Sequence, residues 1–316
     1  MSYDTSVVLK SILMFKAQAR DAWRDVEKIK IQKNNDIANI VITGMGGSTL
    51  GAHFILSVFA QNLKLPIVIV NDYHLPAWVN KNTLVIASSY SGNTEETIST
   101  FNESVSRGAV VVAITTGGAL QKLSEKNNIP CYVIDEKYNP SKQPRYGLGY
   151  NLFGILGILT AMNLCQLSTE EILKEIDRLP ETEDEFYALF PKKNIQALAR
   201  SLKNKIPVII VGESMAGNAH ILQNQFNESA KNFAVYFTIP EMNHHLLEAL
   251  TKPKKLTKKI NFLFMTSDFY NERVQKRFKN TIGILQKLGI GYNTIVGHGD
   301  TSLTQALRMI SFGGML

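Results

Sequence analysis

Short apolar runs alternate with helix-like stretches along the first half of the chain. The runs are rich in β-branched residues and lie at 37–43, 66–71, 83–89, 109–115 and 131–135. Stretches such as 49–62 and 94–107 have helical character, and one amphipathic helix is predicted over 5–27. Because strands that are apolar on both faces need cover on both faces, this alternation predicts a parallel sheet between two layers of helices.

The alternation stops after residue 150 and then returns. Residues 151–204 lack strand-like runs, contain Pro180 and Pro191, and are predicted to form a helical connection. Further apolar runs lie at 206–212, 234–240, 260–266 and 293–299, separated by helical stretches at 215–232, 271–289 and 301–312. We therefore predict an α/β protein with two parallel-sheet αβα subdomains of similar plan, at 1–150 and 205–316.

The composition indicates a folded chain and bears on the cellular compartment in which the protein acts. Of 316 residues, 45% are hydrophobic and 19% are charged, which is enough apolar material for real cores. The apolar runs reach only about eight residues, too short to span a bilayer, and the N-terminal segment has no secretory-signal pattern. The two cysteines, Cys131 and Cys165, have no metal-ligand spacing, and such sparse cysteine suits a reducing cytoplasm.

A net charge of +7 at pH 7 and a pI near 9.2 are compatible with an anionic partner. Nucleic acid, an anionic membrane and an acidic small molecule are the classes to consider. The densest basic stretch, 252–259, contains a proline and no interleaved aromatic residue. This pattern favours a solvated loop over a nucleic-acid surface, with an anion-facing patch as the alternative.

The first candidate site follows the run at 37–43, in the segment Gly44-Met45-Gly46-Gly47-Ser48-Thr49. Glycines allow a ligand to approach the backbone, and an anion could lie at the N-terminus of the next helix. The alternative is a tight strand-to-helix turn that binds no ligand. A dinucleotide site is a weak one, since position 49 holds threonine instead of the third glycine, although Asp72 could serve as the acidic residue.

A second segment, Ser88 to Thr94, brings several hydroxyls and a glycine to another strand end. Hydroxyls and backbone N–H groups at a helix N-terminus suit the oxygens of a phosphate monoester. A serine- and threonine-rich helix cap is the alternative. The segment 115–118 could close a sugar pocket or form a plain turn, and Arg145 could be a surface charge or could stabilise developing negative charge.

Candidate acid–base groups lie in the second half. Glu228 is off the buried stripe of the 215–232 helix and near its C-terminus, where the helix dipole should raise a carboxylate pKa and favour a general base. A surface glutamate is the alternative. The pair His244-His245 suggests a metal, but adjacent positions rarely chelate together, so a proton carrier is the better interpretation.

Five motifs together make the chain similar to the bifunctional phosphoglucose/phosphomannose isomerases, a branch of the sugar isomerase (SIS) domain proteins. They occur in the family's order along essentially the whole chain: GMGGS at 44–48, SYSGNTEET at 89–97, PRYGLGY at 144–150, NESAK at 227–231 and PEMNHH at 240–245. The resemblance implies two flavodoxin-like SIS subdomains and interconversion of glucose 6-phosphate, and of mannose 6-phosphate, with fructose 6-phosphate.

The resemblance also implies roles for individual residues. Glu228 would move a proton between C1 and C2 through an enediol(ate), Arg145 would stabilise that intermediate, and His244, from the partner subunit of a homodimer, would help to open the ring. No metal or other cofactor, nucleic acid or membrane is expected, and the enzyme would act in cytoplasmic glycolysis and gluconeogenesis. The residues expected to hold phosphate and sugar are Gly46, Gly47, Ser48, Ser89, Ser91 and Thr94.

Two departures from the family pattern leave a second function open. Family members continue for roughly thirty residues in a segment that carries a lysine for ring opening, whereas this sequence stops at Leu316. His245 stands where the family commonly has asparagine. The alternative is therefore a sugar-phosphate sensor or an inactive paralogue, and the preference between glucose and mannose phosphates stays open.

Overall fold

The computed structural model describes residues 5–31 and 35–316. The chain divides into two compact units, Met1–Glu181 and Thr182–Leu316, and the division falls inside the stretch for which connecting helices are predicted. Residues 1–4 and 32–34, which belong to the first predicted subdomain, lie outside the described residues. Within the described ranges, no helix combines the length and apolar character needed to cross a membrane.

The first unit is built on an all-parallel sheet, as the alternation predicts. Its strands are β1 (Asn39–Thr43), β2 (Ile67–Val70), β3 (Thr83–Ser88), β4 (Val110–Thr115) and β5 (Cys131–Val133). They lie in the order β2-β1-β3-β4-β5. The central strand β3 is buried along its whole length, which explains why its sequence shows no polar alternation.

Helices cover both faces of this sheet. They are α1 (Thr5–Leu13), α2 (Phe15–Val26), α3 (Leu50–Val58), α4 (Glu95–Ser106), α5 (Gly118–Lys126), α6 (Leu148–Ala161) and α7 (Thr169–Asp177). The prediction of one helix over 5–27 is wrong, since a turn at Met14 separates α1 from α2. At this break the Ser11 carbonyl accepts a hydrogen bond from the Gln18 side chain at 3.1 Å, an alternative to a backbone partner.

The helix α6 is apolar on all sides because it is buried on all sides. It packs against α2 and α3, and its residues from Leu148 to Leu159 are all buried. A helix without a polar face cannot lie at the surface of a protein, so α6 forms the centre of one helical layer. The next helix, α7, begins with a capping box between Ser168 and Glu171, which satisfies exposed N–H groups at its start.

The second unit has a parallel sheet with the strand order β7-β6-β8-β9. The strands are β6 (Ile206–Gly212), β7 (Val235–Ile239), β8 (Ile260–Thr266) and β9 (Tyr292–Val296). The helices are α8 (Glu183–Leu189), α9 (Lys192–Leu202), α10 (Ala216–Glu228), α11 (Leu246–Ala249), α12 (Lys254–Thr257), α13 (Glu272–Leu288) and α14 (Ser302–Met315). If the strands of each sheet are numbered along the chain, both sheets have the spatial order 2-1-3-4, and the first sheet adds a fifth strand after the fourth. The predicted similarity of plan is therefore confirmed.

Candidate functional site

Three loops meet at the carboxyl edge of the first sheet, where ligands collect in open α/β folds. The loop after β3 contacts the loop after β1 through the amide of Tyr90, which donates to the Ser48 hydroxyl at 2.9 Å. It contacts the loop after β4 through the Tyr90 carbonyl, which accepts from the amide and the hydroxyl of Thr116 at 2.9 and 2.7 Å. The structure therefore brings the predicted segments 44–49, 88–94 and 115–118 together.

The hydroxyls after β3 surround the N-terminus of α4. The Ser89 and Thr94 hydroxyls lie 2.8 Å apart, and the Ser89 hydroxyl also accepts from the amide of Gly92 at 3.1 Å. The Ser91 hydroxyl accepts from the amide of Asn93 at 3.3 Å. The Ser91 hydroxyl only accepts in this arrangement, so its own hydrogen can be donated to an anionic ligand. In the Ser89–Thr94 pair one hydroxyl donates to the other, and the accepting partner keeps a hydrogen for a ligand.

Thr94 is the residue before α4 and has extended backbone angles, as an N-cap residue should. Its side chain makes no capping bond to the helix. The positive end of the α4 dipole and the first-turn N–H groups are therefore not capped by this threonine, and this is a chemically suitable environment for an anion. Phosphate binding by this loop stays a prediction, and the serine- and threonine-rich cap remains its alternative.

The loop after β1 lies directly against the segment that carries Arg145. A β-carbon added at Gly47 would lie 3.0 Å from the Pro144 β-carbon and 3.1 Å from the Arg145 amide, so a side chain here would require the two segments to move apart by a few tenths of an ångström. Gly46 has a φ of 49°, in the left-handed region that glycine tolerates. Gly46, Gly47, Ser48 and Arg145 thus lie in one neighbourhood.

Arg145 is buried, with only 7% of its surface exposed. One of its terminal nitrogens, Nη1, donates to Gln143 Oε1 at 3.1 Å, and its guanidinium carbon lies 5.3 Å from the centre of the Tyr146 ring. A buried guanidinium interacts with a developing negative charge more strongly than one in water, because the local dielectric constant is lower. The surface-charge alternative for Arg145 is wrong.

A further residue, which no sequence pattern singled out, supports this edge through buried hydrogen bonds. Asn151 is buried in α6, and its Nδ2 donates to the Ser48 carbonyl at 2.8 Å and to the Ser88 hydroxyl at 2.9 Å. Its Oδ1 accepts from the amide of Gly51 at 3.0 Å. The available signal was a single amide side chain in an otherwise apolar helix, since a buried amide needs partners.

Glu228, in the second unit, is the last residue of α10 and is half-buried. The predicted helical stretch extends to 232, but the helix ends four residues earlier. Lys231 adopts a φ of 54°, and the amide of Asn232 donates back to the Phe226 carbonyl at 3.0 Å. This reversal leads the chain towards β7 and places Glu228 at the negative end of the helix dipole.

The two adjacent histidines have different surroundings. His245 Nε2 lies 2.9 Å from Glu241 Oε2, and the His245 ring centre lies 6.0 Å from that of Phe237. His244 is exposed, and across residues 5–31 and 35–316 its side chain has no hydrogen-bond or ion-pair partner. Over the same ranges, no group of three or more His, Cys, Asp or Glu side chains is arranged to hold a metal ion.

At the carboxyl edge of the second sheet, two polar side chains bond to neighbouring groups of the same unit. Glu213 begins the short turn after β6, as Gly46 does after β1, and has a φ of 39°. Its Oε2 accepts from the amide of Asn271, the residue that caps α13, at 2.8 Å. Ser267 Oγ donates to Gln305 Oε1 at 2.6 Å. The two sheets therefore share their plan but differ in the chemistry of their edges.

Two family models match separate parts of the chain. The SIS domain matches residues 29–138, and the bacterial phospho-glucose isomerase C-terminal SIS domain matches residues 192–316. Among solved structures, the tagatose-6-phosphate ketose/aldose isomerase from Escherichia coli has a TM-score of 0.64 at 14% identity, covering 98% of this chain and 88% of that one. A likeness at this identity shows the fold.

Curated relatives match over most of their length. A bifunctional phosphoglucose/phosphomannose isomerase of Caldicellulosiruptor bescii is 28% identical, over 97% of this chain and 90% of the relative. Proteins with the same name from Thermoplasma acidophilum and Thermoplasma volcanium are both 31% identical, over 89% and 94% of this chain and 82% and 88% of the relatives. On this evidence the chain belongs to the bifunctional phosphoglucose/phosphomannose isomerase family.

Proposed function

We propose that this protein is a sugar-phosphate isomerase that interconverts glucose 6-phosphate, and mannose 6-phosphate, with fructose 6-phosphate. The observation that carries the proposal is the loop cluster of the first unit, where hydroxyls at the N-terminus of α4 belong to the same edge as a buried arginine. A dianionic phosphate matches the first feature, and an enediolate oxygen matches the second.

In this proposal the phosphate is held by donors that carry no full charge. Hydroxyls of Ser48, Ser89, Ser91 and Thr94 and the backbone around Gly46 and Gly47 donate to the phosphate and sugar oxygens. None of these donors forms an ion pair with the phosphate, and this arrangement favours release of the product after each turnover. Hydrogen bonds within the protein hold these hydroxyls in place: the Tyr90 amide donates to Ser48 Oγ, and Ser89 Oγ bonds to Thr94 Oγ1.

The chemical step needs one base and one cation. In the open-chain aldose, the Glu228 carboxylate takes the hydrogen of C2 as a proton, and the electron pair forms a C1–C2 double bond as O1 becomes negatively charged. Arg145 stabilises that oxygen. A proton passes from O2 to O1, and Glu228 returns its proton to C1, which leaves a ketone at C2. The sequence of steps needs neither a metal ion nor an electron carrier.

Ring opening requires a proton to leave O1 and another to reach O5, and we assign assistance in this step to His244. Its exposed side chain suits a group offered to a second copy of the chain, whereas the His245 side chain lies against Glu241. We accordingly propose a homodimer in which His244 acts in the partner's site, working in cytoplasmic sugar-phosphate metabolism.

The direct test is conversion by the purified protein. Incubation with fructose 6-phosphate, followed by NMR, should yield glucose 6-phosphate and mannose 6-phosphate, with the same rates after treatment with EDTA. Thermal stabilisation by fructose 6-phosphate without any aldose product would contradict the proposal and identify a sensor or an inactive paralogue instead.

A further inference from the structure

Tyr90 contributes its backbone to the loop after β3 at 88–94, which is the proposed phosphate-binding loop. Its side chain contacts the segment 139–147 that carries Arg145, here called the arginine segment. Its amide and carbonyl bond to Ser48 and Thr116, as described above. Its ring is buried, and its hydroxyl accepts a hydrogen bond from Asn139 Nδ2 at 2.8 Å. Burial raises the pKa of this hydroxyl well above its ordinary value, so it remains protonated at physiological pH.

The ring lies against the end of the arginine segment. A β-carbon at Gly147 would lie 2.7 Å from Tyr90 Cε2 and 3.1 Å from its hydroxyl oxygen. No side chain fits between the two, so Gly147 lets the tyrosine pack on the backbone that follows Arg145.

Asn139 extends the connection from the tyrosine to the residues before Arg145. It is fully buried, and its Nδ2 also donates to the Gln143 carbonyl at 3.0 Å. Its Oδ1 accepts from the Ser141 hydroxyl at 2.7 Å, and its own carbonyl accepts from the Lys142 amide at 2.9 Å. A buried amide with this many partners holds a single orientation, and it thereby fixes the turn from 139 to 143.

Gln143 completes the path to the cation. Its carbonyl accepts from the Tyr146 amide at 3.0 Å, and its side-chain Oε1 accepts from Arg145 Nη1 at 3.1 Å. A continuous series of contacts therefore runs from the Tyr90 hydroxyl through Asn139 and Gln143 to the guanidinium.

We propose that Tyr90, acting through Asn139 and Gln143, is a positioning residue that holds the Arg145 guanidinium at a fixed place relative to the phosphate-binding loop. The inference rests on the proposed function, in which phosphate anchors one end of the hexose and Arg145 acts at the other. Since the substrate has a fixed length, an error in that spacing lowers the rate of the chemical step without weakening the phosphate anchor.

The experiment compares Tyr90→Phe with Tyr270→Phe in the intact protein. Both variants lose one buried hydroxyl, because the Tyr270 hydroxyl donates to the Met265 carbonyl at 3.1 Å and accepts from the Gly212 amide at 3.2 Å in the second unit. We expect similar losses of thermal stability. Only Tyr90→Phe should lower kcat, by about 10- to 100-fold, with KM for fructose 6-phosphate and inhibition by inorganic phosphate within about twofold of wild type.

Two further measurements separate positioning from general destabilisation and from failure of the proposed function. Gln143→Leu should lower kcat similarly, and the double variant should lose little more, because both act on one cation. Independently of activity, NMR of the guanidinium should show the Arg145 Nη–H signals changed in Tyr90→Phe and unchanged in Tyr270→Phe. Equal kcat in Tyr90→Phe and wild type, an equal loss in Tyr270→Phe, or unchanged Arg145 signals in Tyr90→Phe would each overturn the inference.

Discussion

The carbonyl oxygen of Gly117 occupies the space where a side chain on Gly92 would begin. A β-carbon at Gly92 would lie 1.8 Å from that oxygen, and Gly92 itself has a φ of 70°. The Gly92 carbonyl in turn accepts from the amide of Leu120 in α5 at 2.9 Å. Glycine is therefore needed here for its backbone angle and for its small size, and the proposed phosphate-binding loop is held closely against the loop after β4.

Gly92→Ala should consequently destroy the shape of the phosphate-binding loop. Its β-carbon cannot be accommodated unless one of two backbones moves, so we expect a large loss of thermal stability and no detectable phosphate binding in a ³¹P NMR titration. Gly108→Ala is the matched control, with a φ of 68° and no atom within 4 Å of the added carbon. It should cost only the backbone strain, about 1–2 kcal/mol. Equal effects of the two variants would contradict the steric argument.

Removal of the Ser89 hydroxyl should weaken substrate binding specifically. A hydrogen bond to a charged partner contributes about 1.5–3 kcal/mol, so Ser89→Ala should raise KM for fructose 6-phosphate by roughly 10- to 100-fold. Ser104→Ala removes a hydroxyl that donates to the Phe101 carbonyl at 2.7 Å, within α4. This control should leave KM unchanged, and a KM in Ser89→Ala equal to that of wild type would remove the hydroxyl from the phosphate site.

Arg145→Gln should lower kcat by about 10²- to 10³-fold, which is the usual effect of losing one donor to a developing oxyanion. Arg178→Gln changes the net charge equally, and Arg178 contacts Glu175 at 2.6 Å, near the end of α7. Steady-state kinetics of the two variants should differ in kcat. A normal kcat in Arg145→Gln would eliminate the proposed role of this cation.

Asn151→Leu should be strongly destabilising, although the side chain is similar in size. The substitution removes three hydrogen bonds and leaves Ser48, Ser88 and Gly51 with unsatisfied buried groups, at about 1–3 kcal/mol for each. Urea unfolding measures the loss. Asn127→Ala removes one exposed bond to the Leu123 carbonyl and should cost less than about 0.5 kcal/mol. A small effect of Asn151→Leu would show that this network does not support the site.

The stability of the protein should depend on pH through His220. Burial lowers the pKa of this imidazole, so below its ordinary value of about 6.5 the unfolded chain binds a proton more readily than the folded one. Stability should therefore fall as the pH decreases from 7 through 6.5, until the folded pKa is passed. Urea midpoints for His220→Gln should decline less over this range, and parallel curves for variant and wild type would contradict the expectation.

The strands were predictable because their physical signature is local. A run such as 206–212 is apolar on both faces, and β6 has those bounds. The hydroxyl- and glycine-rich loops were also evident, since they follow those runs directly. The ends of helices were harder to predict. The helix α10 ends at Glu228, and the chain then reverses at Lys231, which has left-handed backbone angles. Lysine carries no strong sequence signal for that conformation.

The supports of the site could not be predicted from sequence patterns. Asn151 and Ser48 are separated by 103 positions, and Asn139 and Tyr90 by 49. Periodicity identifies which face of an element is buried, but it does not identify the loop that a buried amide will contact. Only the folded chain shows that these asparagines join the segments bearing the candidate residues.

The central claim is that a carboxylate of the second unit transfers the carbon-bound proton, and hydrogen exchange in D₂O tests it most directly. Wild type and Glu213→Gln should introduce deuterium at C1 of fructose 6-phosphate and at C2 of the aldose phosphates, as NMR will detect. Glu228→Gln should introduce none, while fructose 6-phosphate raises its melting temperature as in wild type. Exchange at the wild-type rate in Glu228→Gln would contradict the claim.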